Sequence, residues 1–311
     1  MFEAQIAQGL LWKKIVEAVK ELVAEANFQT TPSGVGIQAM DAAHVALVSL
    51  SLRCGGFAVY SCERQAMLGI NLQSLGKILK ATENNDVITL RHIDDSDVLS
   101  IVAEAQDKSK QSEFQLKLME IDAESMSIPE MTYSTTIKLG SADFAKICRD
   151  MAIFGDTVTI AVSREGVKFS ASSDFGEGFV FLRTGATADS VVKRESGVKR
   201  EPGVKKENVK KEAGVKAEPM RDEDDDTPIV ATKAAAAAAG AGENDATVSV
   251  EMEEPLTLSF ALRYFGIFSK ASTLASRVTI CLAGDAPCMI EFEIDGLGHL
   301  RYYLAPKVEE D

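Results

Sequence analysis

Apolar and polar residues alternate at period two in many short runs along the chain, the signature of half-buried strands. Gly34–Asp41 and Gly166–Ser173 each open on a glycine turn and continue as an alternating strand; Val87–Arg91, Phe114–Leu118, Tyr133–Leu139 and Val278–Leu282 are further runs of this kind. Four other segments read as helices: Ala4–Ala26, Leu72–Ala81, Ser141–Phe154 and a stretch around Leu262–Ala271. The order repeats. Gly34–Asp41 resembles Gly166–Ser173, Leu72–Ala81 resembles Leu262–Ala271, and each member of the second pair precedes a strand. Two copies of one design are therefore expected, of class α+β, with helices packed on the faces of sheets.

Between the copies runs Met119–Tyr133, acidic at Glu120, Asp122, Glu124 and Glu130 yet studded with Met119, Ile121, Met126, Ile128 and Pro129. Exposed Met and Ile gain by being covered, so this connector is expected to lie against a surface. The domains expected are 1–118 and 134–311, joined by 119–133.

Spacing exposes an insertion in the second copy. From Gly34 to Leu72 is 38 positions and from Gly166 to Leu262 is 96, so the second copy carries about 58 more. Residues 185–247 hold no aromatic residue, a Lys/Glu block, the acidic run Asp222–Asp226 and the run Ala234–Ala239. Such a composition cannot bury enough apolar surface to offset its ordering entropy, so disorder is expected. Five tetrapeptides inside it place an aliphatic residue before a lysine and a glutamate two positions after it, centred on Lys193, Lys199, Lys205, Lys210 and Lys216. This matches the acceptor pattern for SUMO conjugation. The same residues also suit a charge-balanced soluble linker, and a basic nuclear-import segment is compatible with either.

The chain has 311 residues and a formal charge of −14, which speaks against nucleic acid only if the charge is evenly spread. It is not. The helical segments carry Lys13, Lys14 and Lys20; Lys77 and Lys80; Lys146 and Arg149; and Arg263 and Lys270. Neither Leu72–Ala81 nor Leu256–Ala275 contains an acidic residue. Several of these cations share a helix face by spacing, which points to one concentrated basic surface. Ordinary solvated helix faces are the bland alternative, and the first helix, with Glu17, Glu21 and Glu25, fits it.

Catalysis finds little support. His44, His92 and His299 have no metal-ligand spacing, Gly76-Lys77 is followed by Ile78 where a phosphate loop needs Ser or Thr, and no GxSxG or GxGxxG occurs. A non-enzymatic protein without cofactor or metal is expected. The five cysteines form no CxxC pair and read as buried free thiols of a reducing compartment. No apolar run approaches the ~18–20 residues of a membrane span.

Several blocks then carry a resemblance: Met1–Ala4, Leu50–Arg53, Gly69–Lys80, Lys117–Met119, Ile128–Glu130, Ala145–Asp150, Gly166–Ser172, Phe260–Tyr264 and Gly298–Lys307. In this order they are similar to the proliferating cell nuclear antigen family, the eukaryotic sliding clamps of DNA replication. The resemblance covers everything except the insertion. It implies a nuclear homotrimeric ring, each subunit with two similar domains, helices lining the hole and sheets outside. Duplex DNA would thread the hole, its phosphates facing the nine cations named above without reading sequence. The ring seam would form between Glu113–Leu118 and Gly178–Arg183, with Phe114, Leu116, Gly178, Phe179, Val180 and Phe181 as contacts.

The resemblance also implies that the connector borders a pocket for partner peptides carrying an aromatic anchor. Its residues would be Met40, His44, Val45, Leu47, Met126, Ile128, Pro129, Tyr133, Pro287, Tyr303, Leu304, Ala305 and Pro306. The implied partners are DNA polymerase, flap endonuclease, DNA ligase and an ATP-dependent clamp loader. Arg164 stands where many relatives have a modifiable lysine, and arginine cannot form an isopeptide bond. A subunit of a checkpoint-type heterotrimeric clamp, or a protein scaffold without a DNA role, are the alternative readings.

Overall fold

In a computed structural model, residues 1–122, 131–185 and 247–307 are described. The first half runs β1 (Phe2–Ile6), α1 (Gly9–Lys20), β2 (Glu25–Thr31), β3 (Gly34–Met40), β4 (Ala46–Arg53), β5 (Val59–Cys62), β6 (Ala66–Asn71), α2 (Leu72–Lys80), β7 (Val87–His92), β8 (Val98–Glu104) and β9 (Gln111–Lys117). The second repeats that order element for element: β10 (Thr135–Gly140), α3 (Ser141–Met151), β11 (Thr157–Ser163), β12 (Gly166–Ser173), β13 (Gly176–Arg183), β14 (Ser249–Met252), β15 (Leu256–Ala261), α4 (Leu262–Phe268), β16 (Arg277–Ala283), β17 (Ala286–Ile294) and β18 (Gly298–Leu304). A 3₁₀ turn, Ser269–Thr273, extends α4.

Each half builds a five-stranded and a four-stranded antiparallel sheet. The order is β5-β1-β7-β8-β9 and β4-β3-β2-β6 in the first half, β14-β10-β16-β17-β18 and β13-β12-β11-β15 in the second. Strands β18 and β4 pair, fusing two of the four into one nine-stranded sheet. The turn glycines Gly34 and Gly166 share φ 151°, and a Cβ on either would come within 1.9–2.0 Å of the carbonyl oxygen of Leu52 or Leu182. Glycine is needed at both for the same reason.

The helices form one layer. α1 turns Trp12, Ile15, Val16 and Val19 inward, and α2 turns Leu72, Leu75 and Leu79 inward, both at helical spacing. α1 packs on α2 and on the 3₁₀ turn of the second half, and α3 packs on α4 and the same turn. Tyr302 on β18 points into this layer, donating to the Ala18 carbonyl at 3.1 Å and stacking on Phe268 at 4.4 Å. Its neighbour Tyr303 faces the opposite side, as strand geometry requires. The sheet thus has a helix-covered face and a bare one.

Some expectations needed revision. The first helix is shorter than Ala4–Ala26, because Phe2, Ala4 and Ile6 form the alternating, inward-facing positions of β1. The acid-free stretch Leu256–Ala275 divides into a strand, a short helix and the 3₁₀ turn. All five cysteines are free, but only Cys148, Cys281 and Cys288 are buried. Cys54 is exposed on a 3₁₀ turn after β4, and Cys62 is half-buried on the edge strand β5.

Candidate functional site

On the helix layer the nine predicted cations are five without an ion pair among the described residues, three tied lysines and Arg263. Lys77, Lys80, Lys146, Arg149 and Lys270 are exposed and make no ion pair among the described residues. The lysines of α1 are tied down instead. Lys13 donates to the Thr82 carbonyl at 2.7 Å and to Asn84 at 3.0 Å, and Lys14 donates to the Thr273 carbonyl at 2.7 Å, bridging the two halves. Lys20 pairs with Glu17 at 2.6 Å while its stem lies over Gly76, where a Cβ would come within 3.5 Å of it. Arg263 is exposed, donates to the Tyr264 hydroxyl at 2.8 Å and sits 4.6 Å over that ring.

The bare face carries an apolar row. Through successive strand registers Met40 stands opposite Leu47, Leu47 opposite Tyr303, Tyr303 opposite Met289, and Met289 opposite Cys281. Directly opposed residues share a face. Met40, Leu47, Tyr303 and Met289 are all half-buried, an oily strip across four strands. Tyr133 and Pro287 are half-buried too, and the Ala305 N–H donates to the Val45 carbonyl at 3.2 Å, drawing Ala305 and Pro306 beside Val45. Burial pushes the Tyr133 phenol well above its usual pKa, with the neighbouring Tyr303 adding to the shift.

Leu304 departs from the expected set. It has no exposure and faces the core with Tyr302, so only its backbone borders this strip. Met289 was missed by the sequence reading, although alternation from Pro287 along β17 would have found it. Met126, Ile128 and Pro129 lie outside the described residues, as do the insertion lysines Lys193, Lys199, Lys205, Lys210 and Lys216.

At one end of the strip a groove of about 540 Å³ is lined by Asn27, Gln38, Met40, His44, Ile121 and Asp122 among others. The connector begins here. Met119 donates to the Gly69 carbonyl at 3.0 Å, and Asn27 donates to the Ile121 carbonyl at 3.1 Å. The apolar start of the connector does lie on a surface, the β2–β6 edge. His44 adopts φ 54° in a loop organised by Asp41. That carboxylate accepts from the backbone N–H of Val45 at 2.9 Å and Ala46 at 2.7 Å, and from the Tyr264 hydroxyl at 2.7 Å.

Among the sheet edges, β9 offers Phe114, half-buried, and Leu116, 8% exposed. β13 offers Phe179, 63% exposed, with Gly178, Val180 and Phe181 half-buried. Neither strand has a partner on its outer side among the described residues. Long, apolar open edges invite another strand.

The chain was compared with protein-family models. The model described as proliferating cell nuclear antigen, N-terminal domain, matches residues 1–126. The model described as proliferating cell nuclear antigen, C-terminal domain, matches residues 127–201 and 230–307, and the break between its segments falls within the insertion.

Proposed function

The chain belongs to the proliferating cell nuclear antigen family of DNA sliding clamps, and from that premise we propose that three copies close into a ring around duplex DNA. One observation carries the closure. Inside the chain β18 of one half pairs with β4 of the other, and the repeat gives β9 and β13 the corresponding roles, their outer edges unpaired among the described residues. Pairing β9 of one copy with β13 of the next repeats the internal junction. It covers Phe114 and Phe179 and removes the open edges at β9 and β13, leaving β5 and β15 as the edges of the joined sheet.

The helix layer then faces the hole. Lys77, Lys80, Lys146, Arg149 and Lys270 are free to meet phosphates, with Arg263 beside them. Lys13 and Lys14 add positive potential while held by neutral oxygens, and Lys20 can reach phosphate only by leaving Glu17. Point charges on flexible stems exchange phosphates without reading bases, which suits a protein that slides.

On the outer face, the strip Met40–Leu47–Tyr303–Met289 with Val45, Tyr133, Pro287 and Pro306 is the dock for partner peptides bearing an aromatic anchor. DNA polymerase, flap endonuclease and DNA ligase are the partners expected there, so the ring acts as a processivity factor and repair platform in the nucleus. Opening it requires an external ATP-dependent loader. With Arg164 unable to accept a conjugate, we assign SUMO acceptance to the insertion lysines.

Two measurements test the reading. Light scattering of the purified chain should give three times the 33.5 kDa subunit mass. Replacing Lys77, Lys80, Arg149 and Lys270 with Glu should abolish retention on nicked circular DNA after loading while leaving the trimer intact. Unaltered retention would refute the channel assignment.

A further inference from the structure

The internal junction supplies a register for the seam. Two equivalent hydrogen bonds align β9 with β18: Met119 donates to the Gly69 carbonyl, and Lys307 donates to that of Ser259. Gly69 and Ser259 each stand three residues before the start of their helices, at Leu72 and Leu262. Counting back five residues from Met119 and from Lys307, Phe114 corresponds to Tyr302 and Glu113 to Arg301. For the other strand, Gly34 pairs with Arg53 as Gly166 pairs with Arg183. Ser49 therefore corresponds to Phe179, and Val48 to Gly178. Arg301 stands opposite Ser49 and Tyr302 opposite Val48 inside the chain. Carried across the seam, this register sets Phe114 opposite Gly178 on the covered face and Glu113 opposite Phe179 on the bare face.

The bare-face position has chemistry of its own. Lys168 holds its ammonium 4.7 Å over the Phe179 ring centroid, a cation–π seat. Neither Lys168 nor Glu113 makes an ion pair among the described residues; Glu113 accepts only from the Ser100 hydroxyl. Cross-strand neighbours have Cβ atoms ~5 Å apart, so the ring and its seated ammonium would meet the carboxylate. The nearest other charge on this face of β13 is Glu177, which the register sets opposite the uncharged Gln115.

We propose that each seam carries a pair between Lys168, seated on Phe179, and the partner subunit's Glu113, so that ring closure depends on opposite charges on its two edges. The proposal rests on the ring reading above. A second copy of this chain is the committed partner because the charges are complementary and the edge geometry repeats the internal junction.

A charge swap tests it. Trimer dissociation is followed by dilution of the full chain at low and high salt. Glu113→Lys and Lys168→Glu should each raise the apparent dissociation constant at low salt by about fivefold or more, through loss of the pair and like-charge repulsion. The double variant should return to within about twofold of the parent, since coupled pairs are non-additive. Should a reversed variant aggregate, Glu113→Gln serves in its place: association weakens modestly and loses part of its salt dependence. A parent chain that stays monomeric at every concentration defeats the ring reading itself. A trimeric parent whose double variant is as weak as the two singles, or whose Glu113→Gln variant is unchanged, defeats this pair alone.

Discussion

Asp41 gathers donors from both halves of the molecule. Its carboxylate accepts backbone N–H groups of Ala43, Val45 and Ala46 and the hydroxyl of Tyr264, which in turn accepts from Arg263. Burial works to raise its pKa, but the Tyr264 hydroxyl and the three N–H groups outweigh that, and the carboxyl ends below its usual value. A lowered folded-state pKa means stability that is present at neutral pH and lost as pH falls through that pKa. Tyr264→Phe removes one donor to an ionised group, for an expected loss of about 1.5–3 kcal/mol. The deficit should be full at pH 7 and shrink on acidification below the ordinary Asp range, which thermal melts across pH would reveal. Nothing in the sequence announced this contact, because its partners are 223 positions apart and follow no periodic pattern. The thiols make a second prediction at this scale. Burial pushes the Cys148 thiol up to about 12 and raises Cys281 and Cys288 as well, so little thiolate is available to react. Native labelling should modify Cys54 first and spare these three, which should all react once the chain is unfolded; prompt native labelling of Cys288 would contradict the packing.

Elements were legible where a local signal marked them and illegible where it did not. The paired turns at Gly34 and Gly166 stood out because one backbone conformation demands glycine at both. The first helix was overextended because the apolar positions of β1 adjoin those of α1, and period alone does not separate a short strand from a helix beside it. The Met and Ile content of the connector predicted that it lies on a surface, and its start at Met119 and Ile121 does, but the anchor of that start was not legible. That anchor is Gly69, where an added Cβ would lie 2.0 Å from the Met119 carbonyl oxygen. Both atoms belong to backbone, so no rotamer relieves the clash and the connector must lift. Gly69→Ala should cost about 1–3 kcal/mol, as overpacking does, measurable by urea unfolding. It should also weaken binding of an aromatic-anchored peptide by disturbing Ile121 at the groove. Peptide affinity equal to the parent's would show that the groove does not depend on this end of the connector.

At the scale of the whole molecule, the repeat was readable as two series of similar segments, yet their joining through β18 and β4 was not, since long-range pairing leaves no spacing in the chain. The insertion was readable from the opposite signal, a length mismatch between otherwise matched halves. Its two attachment points are close together. The Gly185 N–H donates to the Val248 carbonyl at 3.0 Å, and Arg277 holds the Thr247 carbonyl at 2.7 Å. The chain therefore leaves and re-enters the fold at nearly one place, and a short bridge can span the gap without moving β13 or β14. Replacing residues 186–246 with about six Gly and Ser residues shortens the closed loop roughly tenfold. Loop-closure entropy then favours the folded state by about 2 kcal/mol, from a cost that grows as 1.5RT times the logarithm of loop length. The shortened chain should melt no lower than the parent, assemble to three times its own smaller subunit mass and retain loading on DNA, because neither the seam edges nor the helix layer includes the removed residues. What it should lose is conjugation at Lys193, Lys199, Lys205, Lys210 and Lys216, read as disappearance of SUMO-modified bands in cells. A shortened chain that no longer assembles would mean the insertion takes part in closing the ring. One that assembles and still carries the full set of conjugates would move the acceptor lysines back onto the folded body.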